Sequence, residues 1–405
     1  MPLHSTPARQ GGNSTAVRHF NERRLLTVLR RLGEASKGDL AAHLTLTQNT
    51  VGQIVQTLES QGLIASTGRR MGRRGQPATL LHLDPHGAYA LGIKLGRRAV
   101  QAALVDFTGG VLKSRRFECL YPTPAQALAL ALRGVTELRR ALPTARRGRL
   151  LGVGLALPCD LGRWPIEMDW NDYDLAESLR AATGMPVWAE NDCTAAAVAE
   201  LFHGHGRTCD DFICITINSS IGAGVVLDGD YRRGVSGNAG DISLVPVQRS
   251  ALMADPSATG EPAILLQRAS GFALFRHVEA HGIAIARAVD LHAVMRSHAA
   301  IIDAWLQDCA EALVAPLLAM TRLLDVQTII LDGNLPRALI AALLARLEQA
   351  LAAATPDVGP RAQLRLGSSG KHPAALGAAL LPLHSRHGQA SLAATSARPP
   401  PDLAQ

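Results

Sequence analysis

The stretch Ser36–Ile64, "SKGDLAAHLTLTQNTVGQIVQTLESQGLI", decides how the beginning of the chain folds. Ser36 precedes a short amphipathic segment that runs to Leu44, which predicts a helix capped by serine. Thr47 precedes a second segment, in which four apolar residues recur on one helix face, namely Val51, Ile54, Val55 and Leu58. Two short helices joined by a tight turn predict a helix-turn-helix.

Segments on both sides extend this prediction to a winged helix-turn-helix. Residues 20–33, "FNERRLLTVLRRLG", place leucines at helical spacing and end on glycine, which predicts a preceding helix. Leu63–Ser66 and Ala78–Leu83 are predicted to pair as the two strands of a wing. We expect Gly75 and Pro77 to fix the shape of the loop between these strands. The same loop is predicted to carry four arginines, namely Arg69, Arg70, Arg73 and Arg74.

This N-terminal head, predicted over residues 19–84, is expected to bind double-stranded DNA. Residues 1–83 hold eleven Lys and Arg against four Asp and Glu, whereas the rest of the chain holds thirty of each. The net charge of +7 therefore lies entirely in this segment, as expected of a module that faces a polyanion. Amide and hydroxyl groups suit base edges, and arginines suit phosphates or the minor groove. The predicted contacts are Thr47, Gln48, Asn49, Thr50, Gln53, Arg69, Arg70, Arg73, Arg74, Gly75 and Gln76. The alternative is a solvated charge run in an ordinary turn.

The composition of the chain limits the class of protein. Its 405 residues suffice for two or three domains, and with 47% hydrophobic and 19% charged residues most of the chain is expected to fold. The N-terminal sequence has no apolar stretch like that of a signal peptide, and no run approaches 18 apolar residues. We therefore expect a cytoplasmic protein without a membrane partner. The six cysteines include no CxxC pair, so reduced thiols are expected.

From Tyr89 onward the pattern predicts a duplicated α/β architecture. Residues 89–118, "YALGIKLGRRAVQAALVDFTGGVLKSRRFE", predict three strands separated by glycine turns, and residues 211–235 repeat a glycine-turn hairpin. A long helix around Ile301–Leu324, the strand "TIILDG" at 328–333 and a last helix near residue 373 follow. Two such halves predict two lobes with a ligand-binding cleft between them.

Several of these motifs, in this order, resemble the ROK family of repressors, open reading frames and sugar kinases. They include "LGIKLG", "GVGLALP", "INSSIGAGVVLDGDYRRGVSGNAGDI" and, as the most specific, "ENDCTAAAVAE" at 190–200. With the head in front, the chain resembles the repressor branch, similar to xylose- and N-acetylglucosamine-responsive regulators. The resemblance implies an α/β fold, in which the N-terminal winged helix-turn-helix is followed by a two-lobed, actin-like and ribonuclease-H-like ATPase-type ROK module.

The resemblance also implies a sugar site. Asn191 and Asp192 match the pair that binds sugar in the family's kinases, where the aspartate is the general base on the sugar hydroxyl. Asp241 matches a glutamate that binds sugar hydroxyls. An amide and a carboxylate side by side can bond adjacent hydroxyls. The alternative for Asn191 is that it caps the alanine-rich helix that follows it, and both roles can hold together.

Departures from the family pattern argue against enzymatic activity. Lys94 stands where the family's first phosphate-binding turn has an aspartate, and "INSSIGAG" at 217–224 replaces a Gly-Thr-Gly loop. ATP-dependent phosphorylation is therefore not expected, and no residue is predicted to be catalytic. The family's zinc ligands are also missing, because Leu244 stands at the histidine position and no cysteine follows it nearby. We expect no metal and no cofactor.

The sequence predicts four segments: a disordered tail over 1–18, the head over 19–84, a ROK-type ligand-binding and dimerisation domain over 85–385, and a disordered tail over 386–405. The expected partners are a pseudo-palindromic DNA operator, a second copy of the chain or a higher homo-oligomer, and a sugar or sugar-derivative effector. Two alternatives stay open. One is a ROK-type sugar kinase with a DNA-binding head, and the other is a regulator whose ROK domain only dimerises.

Overall fold

The computed structural model describes residues 14–70, 78–158, 161, 164–250, 252, 262–283, 291–355, 362–370 and 372–388. The head forms a winged helix-turn-helix, with β3 lying between β1 and β2 and antiparallel to both. The four apolar residues predicted on one face of the second motif helix are all buried. The elements of the head are α1 (Ser14–Leu32), β1 (Glu34–Ser36), α2 (Lys37–Leu44), α3 (Gln48–Ser60), β2 (Ile64–Arg70) and β3 (Ala78–Leu83).

The first helix begins earlier than predicted. Residues 14–18, which were predicted to belong to a disordered tail, form the first turns of α1. Arg18 explains part of this order, because its guanidinium donates to Glu22 on the same helix at 3.2 Å and to the Thr57 hydroxyl of α3 at 2.7 Å. These bonds tie the start of α1 to α3.

The wing strands also differ from the prediction in their length. Arg69 and Arg70 were placed in the loop, but their backbone continues β2 and pairs with Thr79 and Ala78 of β3. The ladder extends this far because the strands resume pairing after an irregularity between Ser66 and Gly68. The other predicted wing residues, Arg73, Arg74, Gly75 and Gln76, lie outside the described residues.

The first lobe is a five-stranded sheet with helices against it. Its strand order is β6-β5-β4-β7-β8, in which β4, β5 and β6 are antiparallel neighbours and β7 and β8 run parallel to β4. Its elements are β4 (Tyr89–Leu95), β5 (Ala99–Asp106), β6 (Val111–Glu118), α4 (Pro124–Ala141), β7 (Leu150–Leu157), α5 (Leu175–Thr183) and β8 (Val187–Asn191), after which α6 (Asp192–His203) leads to the second lobe.

The second lobe repeats this sheet with the order β11-β10-β9-β14-β15, in which β14 and β15 again run parallel to the first strand. The repetition confirms the predicted duplicated architecture of the ribonuclease-H-like type. Its elements are β9 (Phe212–Ile217), β10 (Ile221–Leu227), β11 (Asp230–Arg232), β12 (Pro246–Val247), β13 (Ala263–Ile264), α7 (Gly271–Ala280), α8 (Leu291–Ser297), α9 (Ala299–Leu324), β14 (Thr328–Gly333), α10 (Arg337–Ala354), β15 (Gln363–Leu366) and α11 (Pro373–His387).

Two helices join the lobes. The C-terminal helix α11 packs on β4 and β7 of the first lobe, α6 packs on β9 and β10 of the second, and the two helices pack on each other. Small residues allow this close approach. A Cβ on Gly377 of α11 would overlap the carbonyl oxygen of Ala195 in α6, and one on Gly154 of β7 would overlap that of Ala378. The relative position of α6 and α11 is therefore narrowly constrained.

Helix α1 attaches the head to the lobes. The Arg30 guanidinium lies 4.6 Å from the ring centre of Phe202, at the end of α6, and 5.6 Å from that of Phe107. It also donates a hydrogen bond of 3.1 Å to the Phe107 carbonyl oxygen. The neighbouring Arg31 pairs with Asp210. The head is thus seated on the far end of the helix that begins at Asp192.

Candidate functional site

The outer face of α3 presents the predicted base-reading side chains. Gln48, Asn49 and Gln53 are exposed, whereas Thr50 is half-buried. Thr47 caps the helix, because its hydroxyl accepts from the Thr50 amide at 3.2 Å. The first turn of α3 therefore combines exposed amide groups with helix-terminal N–H groups, which suits contact with bases and phosphates.

A cleft of about 330 Å³ lies between the two lobes. Asp192 at the start of α6, Lys94 at the end of β4 and the turn after β9 all line it. The sequence analysis did not predict that several cationic side chains line this cleft. The motif "KLGRR" at 94–98 contains three of them. The cationic lining residues are Lys94, Arg97, Arg98 and Arg116, with His372 beside them.

Lys94 and Asp192 face each other in this cleft. The ammonium Nζ of Lys94 lies 3.6 Å from Oδ2 of Asp192, and both side chains are largely buried, with 13% and 10% of their surfaces exposed. Burial without a partner would strongly disfavour both charges, so the pair stabilises each of them. A lysine at this position therefore neutralises the carboxylate that acts as general base in the family's kinases.

Asn191 caps helix α6, which confirms the structural alternative considered for it. Its Oδ1 accepts from the Thr194 amide at 2.7 Å, and its Nδ2 donates to the Gly237 carbonyl oxygen at 3.4 Å. The second bond brings the loop after β11 against the start of α6. The side chain thus holds this loop against the helix, and a role in sugar binding stays a prediction.

Asp241 belongs to that same loop but is placed differently from Asp192. Its Oδ1 accepts from the Ser243 hydroxyl at 2.6 Å and from the Ser243 amide at 3.3 Å, and the residue is exposed. Among the described residues that line the 330 Å³ cleft, Asp241 is not included. Of the three predicted ligand-binding residues, Asp192 is the one that lines the cleft in the part of the chain that the structure describes, whereas Asn191 and Asp241 do not.

Hydrogen bonds within the protein engage Asn218, which stands in the turn that corresponds to the family's second phosphate-binding loop. The Asn218 amide donates to the Ser220 carbonyl oxygen at 2.8 Å, and the Asn218 side chain accepts from the Asn334 amide at 3.0 Å. The Asn218 carbonyl oxygen accepts from the Gly271 amide, at the start of α7. The Asn218 amide is thus engaged within the loop, whereas a phosphate-binding loop offers such groups to its ligand.

The zinc ion of the family does not fit this chain. Leu244 occupies the position of the family's histidine ligand and is 47% exposed. The sequence from 241 to 262 contains neither cysteine nor histidine, so the stretch offers none of the nitrogen or sulfur ligands that structural zinc sites use.

None of the helices that the structure describes has the length and apolar composition of a membrane-spanning segment.

Comparisons with known proteins agree with this architecture. The xylose repressor of Bacillus subtilis strain 168 is 24% identical over 240 residues, which cover 58% of this chain and 62% of that repressor. The glucokinase of Streptomyces coelicolor is 29% identical over 196 residues, 47% of this chain and 58% of that enzyme. A solved ROK family transcriptional regulator, a homologue of the E. coli MLC protein, superposes with a TM-score of 0.69 at 24% identity, over 94% of this chain and 99% of that one.

The ROK family itself matches residues 90–384, which include both lobes and exclude the head. The match contains the Asn191–Asp192 pair, the helix α6 and the C-terminal helix α11 that joins the lobes. Family, fold and the order of motifs therefore agree, and the chain belongs to the ROK family.

Proposed function

We propose that this protein is a DNA-binding transcriptional regulator, a repressor whose ROK lobes sense a ligand without phosphorylating it. One observation carries the proposal: an exposed recognition face on α3 is joined to lobes in which Lys94 is paired with the general-base position, Asp192. The xylose repressor similarity supports the first half of this proposal, and the pairing of Lys94 supports the second.

The proposed lack of kinase activity rests on what phosphoryl transfer requires. The reaction needs a free base near the acceptor hydroxyl and a site for the phosphates and their metal ion. In this chain the base position is paired with a lysine, and the Asn218 amide is used within its own loop. The glucokinase of Streptomyces coelicolor is also similar to this chain, so a direct assay is required.

Helix α6 provides a physical connection between ligand and DNA. Asp192 lies at its start, in the cleft, and Phe202 lies near its end, against Arg30 of the head. Its 12 residues span about 18 Å at the rise of an α-helix. A ligand that shifts the start of α6 moves the seat of the head, and we expect a coupling of about 1–3 kcal/mol between the two sites.

The effector class follows from the cleft. The Asp192 carboxylate suits a sugar hydroxyl, and the cations nearby favour a sugar derivative with an acidic group over a neutral sugar. Two heads are needed to read a pseudo-palindromic operator, so the active species is expected to be a homodimer.

Selection from fragmented genomic DNA of the source organism tests the proposal. Purified protein is incubated with the fragments at about 0.15 M salt, and retained DNA is sequenced. Enrichment of a few sites that share an inverted repeat is expected, and a Gln48→Ala/Asn49→Ala variant should lose it. Uniform recovery of the genome by the wild type would contradict sequence-specific binding.

The alternative of a sugar kinase with a DNA-binding head is tested by ADP release. The full chain is incubated with ATP, Mg²⁺ and a panel of sugars, and turnover even at about one per second would overturn the proposal.

The other alternative, a regulator whose ROK domain only dimerises, is tested by calorimetry with the same sugars and with acidic sugar derivatives. A domain that only dimerises would give no binding heat with any of them.

A further inference from the structure

A second pocket lies on the first lobe, on a different part of the surface from the interlobe cleft. It has a volume of about 320 Å³, within the range of small-molecule sites. It is formed by the end of α4, the 3₁₀ turn Thr144–Arg149 and the end of α5. Its apolar floor includes Leu132, Val135 and Met185, and its polar lining consists of Arg139, Arg140, Arg147, Thr136 and Thr183.

The charge of this segment is unbalanced. Residues 139–149, "RRALPTARRGR", contain five arginines and no acidic residue. In the part of the chain that the structure describes, no carboxylate lies within ion-pair distance of any of the five. Elsewhere on the same lobe, Arg115 and Arg133 share Glu137, and Arg180 pairs with Glu177.

Helix stability explains only part of this cluster. Arg139 and Arg140 lie in the last turn of α4, where cations interact favourably with the helix dipole. Arg147 belongs to the following turn, where its Nε donates to the Leu142 carbonyl oxygen at 3.2 Å. Three guanidinium groups around one small pocket repel one another, and an anion between them removes that cost. Guanidinium forks also match phosphate geometry better than any other side chain does.

We propose that this pocket binds a small phosphorylated metabolite, with its phosphate on Arg139, Arg140 and Arg147 and its carbon skeleton on the apolar floor. Thr136 adds a hydroxyl group at the same rim, whereas the Thr183 hydroxyl already donates to the Leu179 carbonyl oxygen at 2.7 Å. The apolar floor beside the arginines favours a small molecule with a carbon skeleton over a DNA backbone or an acidic protein segment, which would contact mainly the charged rim. The binding itself does not depend on the proposed function.

The pocket is connected to the head. Arg149, at the end of the same 3₁₀ turn, donates to the His86 carbonyl oxygen at 3.0 Å and to the Gly62 carbonyl oxygen at 3.5 Å. Gly62 comes two residues after the end of α3. A ligand that fixes the turn therefore biases the position of the head, and we expect occupancy to change DNA affinity. This second step rests on the proposed function.

Thermal unfolding of the full chain with inorganic phosphate, glucose 6-phosphate or glucose tests the binding. With a Kd of about 1 mM, 10 mM of a phosphorylated probe should raise the Tm by about 2 °C, whereas glucose should not act through this pocket. The Arg139→Ala/Arg147→Ala variant should lose at least about ten-fold in affinity for glucose 6-phosphate. Arg296→Ala, which removes an exposed arginine of α8, should retain wild-type affinity.

Calorimetry with the same variants separates this pocket from the interlobe cleft, because Asp192→Asn should leave the Arg139-dependent phosphate binding unchanged. Equal affinity of wild type and Arg139→Ala/Arg147→Ala for every phosphorylated probe, or no binding at 10 mM, would overturn the proposal. A loss of DNA affinity in that variant without phosphate binding would assign the arginines to DNA instead. If phosphate binds as expected but DNA affinity does not change, the proposed coupling through Arg149 is contradicted, whereas the phosphate-binding site is supported.

Discussion

Lys94 and Asp192 are 98 positions apart in sequence, yet their charged atoms lie 3.6 Å apart in the interlobe cleft. The contact places an ammonium group on the carboxylate at the position of the general base in the family's kinases. We expect a double-mutant cycle with Lys94→Met and Asp192→Asn to give a coupling of about 1–3 kcal/mol in urea unfolding, because each single change removes the opposite charge from a largely buried group. Additivity within about 0.3 kcal/mol would contradict a functional pairing.

Glu200 is a buried carboxylate that joins α6 to the loop before α11. Its Oε1 accepts from the amides of Ser368 and Ser369, at 2.6 and 2.7 Å, and its Oε2 accepts from the His205 amide at 3.1 Å. The Glu200→Gln variant replaces one accepting oxygen by a donor, so we expect the free energy of unfolding to fall by about 1–3 kcal/mol. The exposed Glu279→Gln should change it by less than about 0.5 kcal/mol. Equal effects of the two variants would show that the Glu200 bonds contribute little.

Arg30 is expected to hold the head on the lobes through its planar guanidinium. Burial lowers the pKa of Arg30 to about 10, and stacking on Phe202 together with the bond to the Phe107 carbonyl oxygen offsets this burial. Arg30→Lys keeps the charge but loses the planar group, so we expect the contact between head and lobes to be weakened by about 1–2 kcal/mol. Limited proteolysis should then release the head faster than in Arg24→Lys, a change on the same helix. Unchanged proteolysis in both variants would exclude this role.

The interface between head and lobes also makes stability depend on pH. Burial lowers the pKa of His387 from 6.5 to about 3, and that of His203 in the same direction. The unfolded chain takes up protons near pH 6.5, whereas folded His387 does so only near pH 3. The contribution of His387 to the free energy of unfolding is therefore fully present above pH 6.5. It is lost as the pH falls from 6.5 towards 3, by about 1.4 kcal/mol per pH unit.

Urea unfolding at pH 7, 6 and 5 measures this slope. His387→Gln cannot be protonated and should give a shallower dependence than the wild type, although its stability at pH 7 can be lower because the contact with Phe107 is changed. A slope in His387→Gln as steep as that of the wild type would show that other groups carry the pH dependence.

Local signals in the sequence predicted the elements of this fold. Ser36 and Thr47 are helix caps, and the apolar face of α3 has the period of a helix, so both motif helices were predictable. Strand β1 was missed, because three residues are too few to show alternation. Arg69 and Arg70 were assigned to the loop, because arginine-rich, glycine-containing sequence resembles a turn until the partner strand is known.

The site required information that a single sequence does not hold. The Asn191–Asp192 pair was identified by resemblance, and Lys94 was recognised as a departure, but their contact depends on how β4 and α6 meet across the cleft. Asp241 was grouped with them by its motif, although its side chain bonds Ser243 and does not line the described cleft. Position in a family motif thus indicated which residues to inspect, and tertiary packing decided which of them share a cavity.

The most direct test of operator recognition by the head is its binding to DNA from the region upstream of the protein's own gene, measured by anisotropy across a salt series. We predict tight binding relative to random DNA and a steep salt slope, which becomes shallower by about one unit or more in an Arg73→Ala/Arg74→Ala variant. Gln48→Ala/Asn49→Ala should lose discrimination between the two DNAs while keeping the slope. Equal affinity for upstream and random DNA in the wild type, with no response to either variant, would contradict the claim that this head reads an operator.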